Sequence, residues 1–144
     1  MAFRFGKGAS QPVTPRPVPS EPVTVELEWP HDALSPNSRN HWAVKAQWTK
    51  YARDLAFVKF TEAVKVKPKW KSARYSVACV LAKGRRVPDD DNLLASLKAY
   101  RDGMEQAGIV SNDRRLHLEG DVVFRRDKSL SQSKVILTVW ESDE

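Results

Sequence analysis

Apolar and polar residues alternate from Val23 to Trp29, with Val23, Val25, Leu27 and Trp29 on one side and Thr24, Glu26 and Glu28 on the other. A period of two is that of a half-buried strand. After a turn-like stretch from Pro30 to Asn37 the period lengthens. Between about Asn40 and Ala63 the apolar residues Trp48, Tyr51, Ala52, Leu55 and Val58 fall three and four apart, with no glycine or proline between them. That spacing predicts a helix with these residues on one face. A basic connection, Lys65 to Lys71, leads to a second strand over about 73–82, with Tyr75, Val77, Cys79 and Leu81 on one side.

Pro88 biases the residue before it towards extended backbone, Asp89 or Asp90 can cap free N–H groups, and Gly108 suits a helix C-terminus. A second helix is therefore predicted over about 91–106. Two further strands are expected, about 115–125 with Leu116, Leu118, Val122 and Phe124 inward, and about 134–141 with Val135, Leu137 and Val139 on one face. The order β-α-β-α-β-β, with a final pair close enough to be antiparallel, predicts a single α+β domain: a mixed sheet with two helices packed on one face. Residues 1–21 are rich in proline and small polar residues and show no apolar period, so they read as a flexible tail before a domain over 22–144.

Composition narrows the class. Of 144 residues 41% are hydrophobic, enough for a modest core. No apolar run approaches the roughly 20 residues that cross a bilayer, and the N-terminus has no signal-peptide core. The single cysteine, Cys79, lies inside a strand pattern, so a cytoplasmic setting without disulfides is expected. The net charge of +6 favours a polyanionic partner, nucleic acid being the commonest.

Against that positive balance, the run Arg85-Arg86-Val87-Pro88-Asp89-Asp90-Asp91 gathers three carboxylates. Adjacent anions repel, so a helix N-terminus, a cation or a bound metal must offset them. Capping alone is one reading. The other is a hard, oxygen-rich site for Mg²⁺ or Mn²⁺ formed by Asp89 and Asp91, with a third carboxylate from elsewhere. Asp113 is the candidate, because a loop returning from the helix end can deliver it. Helix phase also lines Lys98 and Asp102 up with Asp91, although Asp102 lies roughly 16 Å further along. An EF-hand loop is excluded: counting from Asp89, Leu94 stands where glycine is needed and Tyr100 where glutamate is needed. His31, His41 and His117 have no zinc-ligand spacing, with one another or with Cys79, and read as structural or surface residues.

Basic residues flank the acids: Lys83, Arg85 and Arg86 before them, Arg114 and Arg115 after Asp113, and Arg125, Arg126 and Lys128 beyond. They would screen carboxylates from DNA phosphates, or form an ordinary solvated face. Lys69 and Lys71 in the basic connection, and Asn37, Arg39 and Lys45 near the first helix start, are further candidates for phosphate contact. Trp70 can stack on an exposed base or fill the core. Gly103, inside the predicted second helix, points to close packing across a dimer interface or to a tolerated weakness. Glu119 and Asp121, which follow Asp113 on the third strand, could supply a further ligand, but are rather expected to pair with nearby arginines.

Taken together, Asp89-Asp90-Asp91-Asn92-Leu93, a helix with Lys98 and Asp102, the turn Ala107-Gly108-Ile109-Val110 and the closing Asn112-Asp113 resemble the signature of RusA-type Holliday junction resolvases. The segment Ser35-Pro36-Asn37-Ser38-Arg39-Asn40-His41-Trp42 resembles that family's early P-x-x-N stretch. The resemblance implies a homodimeric endonuclease that binds four-way DNA junctions and cuts two strands symmetrically with Mg²⁺ or Mn²⁺. It implies catalytic roles for Asp89, Asp91 and Asp113 and for Lys98, in a bacterial or phage-infected cell. Three departures stand out: the helix segment is about three residues longer than the family pattern, Asn112 replaces the first acid of the usual pair, and the proline-rich tail has no counterpart in the pattern.

Overall fold

The computed structural model describes residues 21–142. The tail expected over 1–21 falls, apart from Glu21, outside them. Five strands and two long helical segments form an α+β domain in which a mixed sheet carries its helices on one face, as its pattern predicts. Strand β1 (Val23–Glu28) alternates buried and exposed residues along its length. Helix α1 (Trp42–Val64) follows, capped by His41, whose Nδ1 accepts from the Ala43 amide at 3.1 Å. Strand β2 (Ala73–Leu81) crosses the middle of the sheet, and β5 (Lys134–Glu141) runs antiparallel to both β1 and β2.

The two last predicted strands do not pair with each other. The sheet order is β1-β5-β2-β3, with β4 also on β2, so β2 separates β5 from β3 and β4. The stretch expected as one strand over 115–125 is two short ones, β3 (Leu116–Leu118) and β4 (Val123–Arg126), both parallel to β2. Leu118 faces Tyr75 and Val123 faces Ala78, so five steps along one chain match three along the other. The two surplus residues bulge out at Gly120, whose φ of +74° suits a residue without Cβ.

The second helix is also interrupted. Helix α2 (Asp90–Ser96) and helix α3 (Lys98–Gln106) meet at Leu97, with φ −91° and ψ 0°. No glycine or proline marks this break. Ser96 instead donates its hydroxyl to the Asn92 carbonyl at 3.0 Å, a back-bond that competes with the helical ladder and bends it. Leu97 is buried, so the bend follows the core.

On α1 the buried row is Ala52, Ala56, Phe60 and Val64, whereas Tyr51 and Val58 are 44% and 48% exposed. The expected face was rotated because α3 packs against alanines, which contribute little to a hydrophobicity pattern. Gly103 makes that approach possible. A Cβ there would run into the Arg53 carbonyl oxygen and lie 2.8 Å from the Ala56 Cβ. Its role is therefore helix packing within one chain, not a dimer contact. Trp70 is likewise in the core, 3% exposed, with its Nε1 lacking a hydrogen-bond partner, so it offers no face to a base.

Candidate functional site

Parallel pairing of β2 with β3 and β4 makes α2–α3 a crossover that runs back along the sheet, opposite to β2. The domain therefore has two ends. At the end where β2 finishes with Leu81 lie the 82–88 connection, the start of α2, the close of β4 and the loop that leaves β1. At the end where β2 begins with Ala73 lie the close of α3, the basic connection and the turn Asp113–Arg115.

Asp89, Asp90 and Asp91 sit at the first end and all are exposed. Asp89 is the cap of α2: its Oδ2 accepts from the Asn92 amide at 3.2 Å, and its backbone is extended, as that of an N-cap residue is. Asp90 and Asp91 follow in the first turn, where the helix dipole favours negative charge. Asp89 and Asp91 are two solvent-open carboxylates on either side of a helix start, a donor pair of the hard oxygen type that Mg²⁺ takes. Asp90 lies close enough to the buried Cys79 for its charge to add to burial in pushing that thiol up to about 12.

Asp113 is not brought to them. It opens the turn Asp113–Arg115, and the next residue, Leu116, pairs with Ala73 at the far end of β2. Eight residue steps along β2, from Ala73 to Leu81, separate the two ends, roughly 26 Å at 3.3 Å per step. The returning loop delivers Asp113 to the sheet, but at the wrong end. Among the described residues no group of three or more histidine, cysteine, aspartate or glutamate side chains is arranged to hold a metal. Lys98 lies between the ends, its Nζ 3.0 and 3.3 Å from the Asp102 carboxylate oxygens. The predicted alignment of these two on α3 is thus realised as an i,i+4 ion pair.

The cations divide in the same way. Arg85 and Arg86 stand immediately before the acids, and the loop with Asn37 and Arg39 leaves the same end of the sheet, with Lys45 about one turn into α1. Lys69, Lys71, Arg114 and Arg115 are at the Asp113 end. Glu119 pairs with Arg74 at 2.9 Å, as its setting suggests. His31 accepts from the Ala33 amide and its ring stacks on Trp48 with centroids 3.8 Å apart, which confirms a structural role.

One feature of the acidic end had no signal in the sequence pattern. A cleft of about 580 Å³ lies between the 29–35 loop and the 84–88 connection, with Asn92, Leu93 and Ser96 of α2 along it. Arg126 ties the connection down, donating from Nη1 to the Ala82 carbonyl and from Nη2 to the Arg85 carbonyl, each at 2.8 Å. Only the pairing of β4 beside β2 puts Arg126 there, some 40 residues away in sequence.

No family model matches the chain. An uncharacterized protein of Xylella fastidiosa (strain Temecula1 / ATCC 700964) is 37% identical over 99 residues, covering 64% of this chain and 61% of the relative. The chain thus spans about three fifths of that relative's length. Among solved structures, a HypE–HypF complex aligns with 82% of this chain and 31% of its own, at 13% identity and a TM-score of 0.36. The hydrogenase maturation protein HypE in complex with ATP aligns with 91% of this chain and 33% of its own, at 10% identity and a TM-score of 0.27. At these TM-scores the likeness carries no inference about this chain.

Proposed function

We propose that the chain is a metal-dependent, structure-selective endonuclease that resolves four-way DNA junctions by paired cuts as a homodimer. The observation that carries the metal-dependent part of this reading is the acidic end itself, while the junction substrate and the homodimer rest on the resemblance to RusA-type resolvases. Asp89 and Asp91 stand exposed at the start of α2, directly beyond Arg85 and Arg86 and beside an open cleft. Carboxylates alone would repel DNA, and the adjoining cations offset that repulsion.

In this reading Asp89 and Asp91 hold Mg²⁺ or Mn²⁺, which when bound supplies an activated water and charge stabilisation at the scissile phosphate. Arg85 and Arg86 draw the backbone towards the acids. Lys98, released from Asp102, neutralises phosphate charge. Asp113 enters from a second copy, because a single chain holds it at the opposite end of β2. A twofold dimer would then contain two equivalent sites, which suits two symmetric cuts.

The cap at Asp89 favours a second reading, a nucleic-acid-binding protein without catalysis in which the acids only stabilise α2. Incubation with a synthetic four-way junction and a matched linear duplex, in Mg²⁺, Mn²⁺ or EDTA, separates the two. Paired cuts in the junction alone, abolished by EDTA, support the nuclease. Binding without cuts in either metal supports the second reading.

A further inference from the structure

We infer that the ridge formed by Trp29 and Arg85 is a stacking platform for one base of a single-stranded DNA segment, with the flanking phosphates held by Lys83 and Arg86. The inference deepens the proposed reading by naming the form of DNA taken beside the acids. It rests on that reading for the identity of the polyanion. The guanidinium carbon of Arg85 lies 4.7 Å from the Trp29 ring centroid, within cation–π range. Hollows open on both sides of the pair. One, of about 580 Å³, reaches Arg86 and Asn92; the other, of about 440 Å³, reaches Lys83 and Ser131 to Ser133, and Trp29, Gly84 and Arg85 line both.

The platform is held in place before any ligand arrives. Arg126 fixes the carbonyls of Ala82 and Arg85, and the Arg85 amide closes a turn onto Ala82 at 3.1 Å. Gly84 at the tip has φ +82° and open space around it. A base laid on the outer side of the guanidinium extends the Trp29–Arg85 pile, because every base offers a π-face to such a plane. Arg86 lines one of the two hollows beside Arg85 and Lys83 the other, so a cation is available to the phosphate on each side of the stacked base; a duplex, whose bases are already stacked, has none to offer. Asp32 and Glu28 are the acids that border the hollows, and they leave the exposed rim of the connection to Lys83, Arg85 and Arg86.

The test uses the full ¹⁵N-labelled chain in EDTA, titrated with a thymidine hexanucleotide, a blunt duplex of similar charge, and inorganic polyphosphate. The Trp29 indole N–H resonance is assigned by its loss in Trp29→Phe. Expected is a shift of that resonance with the hexanucleotide and not with the duplex, and binding about tenfold weaker in Arg85→Lys, which keeps the charge and loses the plane. Wild-type binding in Arg85→Lys, an unmoved Trp29 resonance, or an equal shift with polyphosphate overturns the platform. Because no metal is present, none of these outcomes bears on catalysis; failure of the nuclease reading shows separately, as a four-way junction left uncut in Mg²⁺.

Discussion

The two ends of the sheet carry similar residues and are built differently. Each has arginines beside an aspartate: Arg85 and Arg86 before Asp89 at one, Arg114 and Arg115 after Asp113 at the other. At the first end the acids are set on a capped helix start, the connection before them is tied to β4 by Arg126, and a cleft adjoins them. At the second, Asp113 stands in a single turn, and the hollow nearest the basic connection is bordered by Lys67, Lys69 and Glu105. Similar composition therefore does not make equivalent sites. Binding chemistry needs charged groups held in fixed relation: at the first end a charged side chain, Arg126, ties down the connection before the acids, whereas at the second the 69–72 and 108–111 segments are joined by backbone bonds such as Lys69 to Gly108 and Trp70 to Ile109.

The largest expected effect breaks this comparison or confirms it. Asp91→Asn should lower junction cleavage in Mg²⁺ about a hundredfold or more while leaving junction binding intact, measured by denaturing gel and by gel shift. Asp113→Asn should be as inactive alone, yet mixing the two variants should restore cutting of one strand, since mixed dimers contain one intact shared site. No recovery in the mixture, with both variants folded, would mean that the ends do not cooperate across copies.

Stability variants sharpen the contrast on a smaller scale. Gly103→Ala should cost about 1–3 kcal/mol in urea denaturation, because the added methyl must push α3 away from the Arg53 carbonyl and Ala56. Tyr100→Phe removes the 2.7 Å hydrogen bond to the Glu28 carbonyl and should cost about 1 kcal/mol. The smallest effect concerns pH. Burial, with a lesser contribution from the Asp90 charge, pushes the Cys79 thiol up to about 12. A raised folded value means that its share of stability is complete below the unfolded thiol range of about 8.5 and is lost as pH climbs towards 12. Cys79→Ala should therefore flatten the fall of the urea midpoint between about pH 9 and 11. Tyr75, also raised mainly by burial, still contributes a loss at higher pH in that variant.

Much of the fold was legible because periodicity reports burial. Val23, Val25 and Leu27 on β1, and Val135, Leu137 and Val139 on β5, are buried as their alternation predicts. The α1 face was misplaced because alanine and glycine decide helix approach by being small. The break at Leu97 was hidden because a serine hydroxyl, not a proline, causes it. At the candidate site, the cap at Asp89 followed from local order, X-Pro then aspartate then helix. The distance to Asp113 did not, because it depends on which strand β3 joins and in which direction.

By itself the sequence determined β1, α1, β2 and β5, the acid cluster at a helix start and the basic surroundings, since each arises from neighbours within a few residues. Only the tertiary structure decided that β2 lies between β5 and β3, that Asp89 and Asp113 stand at opposite ends, and that Arg126 secures the connection beside Trp29. Those outcomes turn on strand order and on contacts between residues far apart in the chain. No local pattern encodes them, because many pairings satisfy the same alternation and packing selects among them.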